Sequence, residues 1–363
     1  MKNKITILVF SLGHGGAEKV CLSLCNEFVK RDFEVELWIA NFEETALTKK
    51  LDSRISVFPM HKTHVRNTVV PLTKLLLQRK PERMLIFHIE LAILMIILKK
   101  LLFINTYIIA RSINTLSESF KYPNGFWEKH VAKKAIGLFL PHADRIIAQS
   151  TGMRDDLVKY FGIAEDKVVT IPNPVEFSAN GFYSVNGSDH KNEFLFVGRL
   201  NPQKGLANML KAFSMASSEV DDMHLSLVGD GPEMEHLKSL AVELRIHDKV
   251  SFEGYQAKTN AYYSRAKATL LTSVFEGFPN VLVESIALGT PVISFDCPSG
   301  PADIIISGVN GILVPNQDVR EFSKALAAIA KNEIVFNKQE VIDSSNRFST
   351  GLVANKYEEA CFN

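Results

Sequence analysis

The 363-residue chain is short of several features that would narrow its class at once. It has only four cysteines, Cys21, Cys25, Cys297 and Cys361. They suggest no disulfide framework, and their scarcity fits a reducing compartment. Cys21 and Cys25 have the helical spacing of a metal pair. They fall, however, within the apolar stripe of Ala17, Val20, Leu24, Phe28 and Val29, which reads as core packing. A long apolar run is missing too. The best membrane candidate, Met84 to Leu98, contains His88 and Glu90 and ends at Lys99-Lys100. A span needs roughly 20 apolar residues, so this stretch reads as a buried strand followed by an apolar helix. The run Ile5 to Phe10 is too short for the core of a secretory signal and reads as a strand.

An excess charge of one sign is also lacking, since the formal net charge is +1. The balance hides an asymmetry. Residues 1–171 hold 25 Lys+Arg and 17 Asp+Glu, a balance of +8, and the remaining 192 hold 16 and 23, a balance of −7. A basic half suggests an anionic partner. No nucleic-acid module is recognisable, so the expected partner is an anionic membrane surface or a phosphate-bearing acceptor.

With 46% hydrophobic and 22% charged residues, the chain is globular rather than disordered. Its length calls for two domains. Lys4 to Phe10 reads as a strand, Ser11 to Gly16 as a glycine loop, and Ala17 to about Arg31 as a helix. Further strands are expected at Phe33–Ala40, Met84–His88, Thr106–Ala110, Asp144–Gln149 and Lys167–Ile171. The polar stretch 41–80 has no clear pattern, and its His61 and His64 suggest no metal site. Phe126 to Leu140 reads as a basic helix through Lys129, His130, Lys133 and Lys134, either a solvated face or a contact for lipid phosphate. Pro172-Asn173-Pro174-Val175 then breaks the pattern, and polar residues 177–192 form a linker. Strand and helix alternate again beyond it, with strands at Glu193–Val197, Met223–Val228, Lys249–Glu253, Ala268–Thr272 and Val292–Phe295. The fold class is therefore α/β, two facing doubly wound domains. The expected division is 1–172, 173–345 and a C-terminal helical segment, 346–363.

The chemistry concentrates in Ser273 to Ile304. Glu276 and Glu284 stand seven residues apart, with Gly277-Phe278-Pro279 between them and Gly289 beyond. Pro at the start and Gly at the end mark the limits of a helix, so Glu276 should lie in a loop and Glu284 inside the helix. Glu284 has Leu282, Val283, Ile286 and Ala287 as neighbours, and a carboxylate there needs a partner. A salt bridge would supply one; so would the hydroxyls of a sugar or a ribose. Arg199 and Lys204 lie in the loop Gly198 to Gly205, between a strand and a helix. Such cations suit a diphosphate, Arg by a forked contact and Lys as a point charge. Backbone amides at the glycine loop Gly15-Gly16 and at Gly300-Pro301 also suit phosphate. Glu18 occupies the last position of G-x-G-x-x-G, which speaks against a dinucleotide-dependent oxidoreductase.

Four segments together resemble the retaining glycosyltransferases of family 4, which have the GT-B fold. They are Gly15-Gly16-Ala17-Glu18, FVGRLNPQKG around Arg199 and Lys204, VGDGP at Val228 to Pro232, and the E-x7-E pair of Glu276 and Glu284. The resemblance spans most of the chain and is looser in the N-terminal half. It implies transfer of a sugar from a nucleotide donor, with a cleft between two Rossmann-like domains. It implies catalytic roles for Arg199, Lys204 and Glu276, with Glu276 on sugar hydroxyls and Glu284 on the ribose. The remaining donor contacts would come from Gly15, Gly16, Gly277, Phe278, Pro279, Asn280, Val281 and Gly300. IIARSIN resembles a segment of bacterial members and makes Arg111 and Asn114 candidates for sugar or acceptor contacts, beside His14 and His88. Ala110 and Asp303 depart from the more usual residues. FDCPSGPADII resembles members that use UDP-sugars, often UDP-N-acetylhexosamines. The acceptor implied is lipid-linked or a glycan in surface-polysaccharide assembly, at the cytoplasmic face of the membrane. No D-x-D occurs, so no metal is expected, nor any cofactor besides the donor. A nucleotide-sugar epimerase of the same fold and a non-catalytic sugar-binding protein are the other readings.

Overall fold

The structure is a computed structural model and describes residues 3–13, 15–121, 132–175 and 192–362. The chain divides into two compact units, Met1–Glu176 with Phe348–Asn363, and Phe177–Arg347.

The first unit is built on a seven-stranded parallel sheet. Its strands are β1 (Lys4–Val9), β2 (Glu34–Ile39), β3 (Ser56–Pro59), β4 (Arg83–Phe87), β5 (Tyr107–Arg111), β6 (Arg145–Ala148) and β7 (Val168–Thr170). They run in the order β3-β2-β1-β4-β5-β6-β7, every neighbouring pair parallel. A parallel sheet is covered on both faces, so its strands are apolar on both sides. Ile5, Ile7 and Val9 of β1, with Leu85 and Phe87 of β4, join one core. Leu8, Met84 and Ile86, which alternate with them, join the other. Cys21 and Cys25 lie fully buried in the first core on helix Gly16–Lys30, where the apolar stripe placed them. Helix Thr350–Phe362 closes that core through Val353, Ala354, Tyr357, Ala360 and Cys361. Arg31 holds the helix through Gly351 O at 2.7 Å and Asn355 Oδ1 at 2.5 Å.

Met84 to Leu98 covers β4 from its second residue and most of the following helix Ile89–Leu101, which is 13 residues long. Among the described residues no helix is long and apolar enough to cross a membrane. β3 and helix Val69–Arg79 come from the stretch whose pattern was unreadable. β3 is a short edge strand with both ends exposed, so no apolar run marks it. The described part of the basic helix is Lys133–Phe139; Lys129 and His130, and the linker up to residue 191, lie outside the described residues.

The second unit repeats the plan with six strands: β8 (Asn192–Val197), β9 (Met223–Val228), β10 (Val250–Gly254), β11 (Ala268–Leu271), β12 (Val292–Phe295) and β13 (Gly311–Val314). Their order is β10-β9-β8-β11-β12-β13, again parallel throughout. β13 follows the turn at Asn310-Gly311, too short to show as a strand in the sequence. The α/β class and both doubly wound sheets agree with the reading of the sequence.

Candidate active site

Each sheet reverses its strand order beside its first strand, β1 lying between β2 and β4, and β8 between β9 and β11. Open parallel sheets bind ligands beyond the carboxyl ends of the strands at such a reversal. In the second unit the two loops at that place are Gly198–Gly205, after β8, and Thr272–Pro279, after β11. They carry Arg199, Lys204 and Glu276.

The two loops are bonded to each other. Thr272 Oγ1 donates to Lys204 O and Gly205 O, both at 3.1 Å. Gln203 Nε2 donates to Phe275 O at 2.9 Å, and Val274 N to Gln203 O at 2.8 Å. Gly205 has φ +59°, and a Cβ there would meet Thr272 O at 2.3 Å, so only glycine allows this approach. VGDGP crosses the first loop as closely: a Cβ on Gly229 would meet Gly198 O at 1.8 Å. Leu200 N donates to Asp230 O at 2.9 Å.

This bracing brings Lys204 Nζ to 2.6 Å from Glu276 Oε1, and Ser273 Oγ donates to the same oxygen at 2.5 Å. Glu276 is buried, its loop held by Glu276 N donating to Pro298 O at 3.1 Å. Cys297 is buried beside it, and burial first, then the Glu276 charge, push its thiol far above the ordinary range. Arg199 is exposed on the same loop as Lys204. Among the described residues its side chain has no carboxylate partner.

Helix Asn280–Ala287 starts after Pro279 and ends before Gly289, which takes φ +82°. Glu284 is inside the helix and half-buried, and Tyr263 OH donates to its Oε2 at 3.0 Å. A phenol, then, is one partner of this carboxylate. Gly277, Phe278 and Pro279 are buried, and Gly300 packs on them: a Cβ there would meet Pro279 Cδ at 2.5 Å. Asn280 and Val281 open the helix, half-buried.

In the first unit Gly15 and Gly16 stand beyond β1 at the start of helix Gly16–Lys30. The Glu18 side chain folds back against Gly15, where a Cβ would meet its Oε2 at 2.2 Å. His88 follows β4 with φ +90°, and its Nδ1 donates to Phe87 O at 2.6 Å. Burial is the main cause holding its pKa below the ordinary value. His14 lies outside the described residues. Arg111, a candidate for a sugar or acceptor contact, ends β5 and is only 1% exposed. Its Nε donates to Tyr357 OH at 3.0 Å and its Nη2 to Asn173 Oδ1 at 2.5 Å, so the guanidinium joins β5, the segment at Asn173 and the C-terminal helix from inside the unit. Asn114 Oδ1 accepts from Thr115 N at 3.0 Å, just ahead of the short helix Leu116–Ser119.

Sequence reading gave no role to Tyr263 or Ser273. For Ser273 a signal existed, a hydroxyl three residues before a glutamate; for Tyr263 there was none.

Residues 14–178 match the family described as Glycosyltransferase Family 4, and residues 183–347 match Glycosyl transferases group 1. The lipopolysaccharide 1,6-galactosyltransferase of Escherichia coli K12 is 32% identical over 216 residues, 58% of this chain and 59% of the relative. An N-acetylgalactosamine-N,N'-diacetylbacillosaminyl-diphospho-undecaprenol 4-alpha-N-acetylgalactosaminyltransferase of Campylobacter jejuni is 28% identical over 344 residues, 91% of each chain. Two relatives are spanned only to 59% and 23% of their own length. Anabaena Alr3699/HepE, solved with UDP-glucose, superposes with a TM-score of 0.77 over 98% of both chains at 18% identity, a likeness of fold. The two matched regions adjoin, each falls on its own doubly wound sheet, and the chain belongs to family 4 of the glycosyltransferases, with the GT-B fold.

Proposed function

We propose that the protein moves a hexosyl or N-acetylhexosaminyl group from a UDP-sugar to a lipid-linked or glycan acceptor in bacterial surface-polysaccharide assembly, with retention of configuration and without a metal ion. The observation that carries this reading is the Lys204–Glu276 pair at 2.6 Å, on the two loops that flank the reversal of the second sheet. The names of the galactosyl- and N-acetylgalactosaminyltransferase relatives, and the UDP-glucose bound by HepE, support the donor and the pathway class.

In the reaction the bond from the anomeric carbon to the β-phosphate oxygen breaks, and charge builds on the leaving diphosphate. Fixed cations aimed at that charge are the largest expected contribution. Arg199 and Lys204 supply them. Glu276 accepts hydrogen bonds from sugar hydroxyls, its carboxylate held by Ser273. Glu284 accepts from the ribose. No side chain in the site is cast as a covalent nucleophile, so the acceptor attacks from the face that the diphosphate leaves. The absence of D-x-D from the sequence supports a metal-free site. The basic first half supports docking on an anionic membrane surface at the cytoplasmic face.

Calorimetric titration with UDP, GDP and NAD, with and without chelator, tests the reading. UDP should bind alone, chelator should change nothing, and Arg199→Ala should abolish the heat. Binding of NAD alone would overturn the roles given to Glu276 and Glu284. Turnover of donor without acceptor would favour an epimerase.

A further inference from the structure

Tyr263 is fully buried on helix Asn260–Arg265, in a small cluster with Leu195 of β8, Val228 of β9 and Ala266. Its backbone is anchored as well as its ring. Tyr263 O accepts from Thr290 Oγ1 at 2.6 Å. Thr290 O in turn accepts from Ser285 Oγ at 2.8 Å, and Ser285 is on the helix that carries Glu284. The phenol therefore has a fixed position relative to that helix. Its hydroxyl donates to Glu284 Oε2 at 3.0 Å.

A hydroxyl taken out of water needs an acceptor, so the burial of the ring enforces this bond. Burial, then the Glu284 charge, raise the phenol pKa well above its ordinary value, and the group stays a donor throughout the neutral range. Glu284 is half-buried, with part of its side chain reachable from solvent. A glutamate loses rotamer freedom when a ligand orders it. A donor already fixed on one carboxylate oxygen removes that cost before the ligand arrives.

We propose that Tyr263 is a positioning residue of the donor site, its hydroxyl holding the Glu284 carboxylate ready for the ribose hydroxyls of a nucleoside diphosphate. This rests on the reading of Glu284 as the ribose contact.

The test compares UDP with 2′,3′-dideoxy-UDP by calorimetry, in the wild type and in Tyr263→Phe. The wild type should prefer UDP about tenfold or more, the worth of a hydrogen bond to a charged group. In Tyr263→Phe the preference should shrink toward one, while affinity for the dideoxy compound stays unchanged. A purely structural role lowers both affinities together and keeps their ratio; that result overturns the inference and leaves the donor site standing. A wild type that binds both compounds alike removes the ribose role of Glu284 and this inference with it. If Tyr263→Phe fails to fold, the carbon-13 shift of the Tyr263 Cζ in the wild-type protein serves instead. It should move with UDP and not with the dideoxy compound, and equal movement with both counts against the inference.

Discussion

Lys204 Nζ stands 2.6 Å from Glu276 Oε1, with the two side chains only 18% and 8% exposed. A cation and a carboxylate so withdrawn from water depend on one another. Removing one strands the other, at a cost on the order of 3 kcal/mol. Lys204→Met should therefore lower both stability and activity, the latter by about 10²-fold or more if it loses a group aimed at the leaving diphosphate. The double variant Lys204→Met/Glu276→Gln should regain most of the stability and none of the activity. Urea melts and initial rates on the three proteins decide. A double variant as unstable as the single one would mean that the pair is not the source of the effect.

Gly205 permits the contact between the loops after β8 and β11. With φ +59° and Thr272 O at 2.3 Å from an added Cβ, Gly205→Ala must push the two loops apart. The expected result is a loss of roughly 1–3 kcal/mol of stability, and a weakening of UDP binding larger than that of a surface control such as Lys238→Ala. A Gly205→Ala protein with normal affinity and melting temperature would contradict the close approach.

His88 gives the first unit a pH dependence of known sign. Its pKa in the folded chain lies below the ordinary 6.5, chiefly through burial. Above 6.5 the imidazole is neutral in folded and unfolded chains alike and its contribution is fully present. Below 6.5 the unfolded chain takes up a proton that the folded one resists, so stability falls as pH falls toward the folded pKa. The urea midpoint should drop between pH 7 and pH 5.5, and His88→Gln should flatten that drop. Equal slopes in the two proteins would assign the titration to another group.

Arg111 ties the C-terminal helix to β5 through Tyr357 and to Asn173 through its second nitrogen. Lysine cannot reproduce this fork. Arg111→Lys should cost on the order of 3 kcal/mol, the sum of two charged hydrogen bonds. Amide exchange in helix Thr350–Phe362 should quicken. If that helix exchanges at the wild-type rate, the guanidinium does not hold it.

Much of this was readable in the chain itself. Alternating apolar strands and amphipathic helices announced two doubly wound units, because a buried parallel strand must be apolar on both faces and a covering helix on one. The elements that escaped were those whose pattern is weak. β3 is a half-buried edge strand, and β13 has four residues following a turn. The partners of Arg111 escaped for a related reason: Tyr357 and Asn173 lie 246 and 62 residues away, and no local pattern points to them.

Read alone, the chain yields the two-domain α/β plan, the loop Gly198–Gly205, a loop at Glu276, and the chemical identity of the groups they offer. These depend on local patterns of a few residues. Only the tertiary structure decided who holds whom. Lys204 meets Glu276 across 72 residues, and Tyr263 meets Glu284 across 21. Those meetings follow from the order in which β8 and β11 lie side by side, and from a buried phenol that had to find an acceptor. No spacing in the sequence encodes either one.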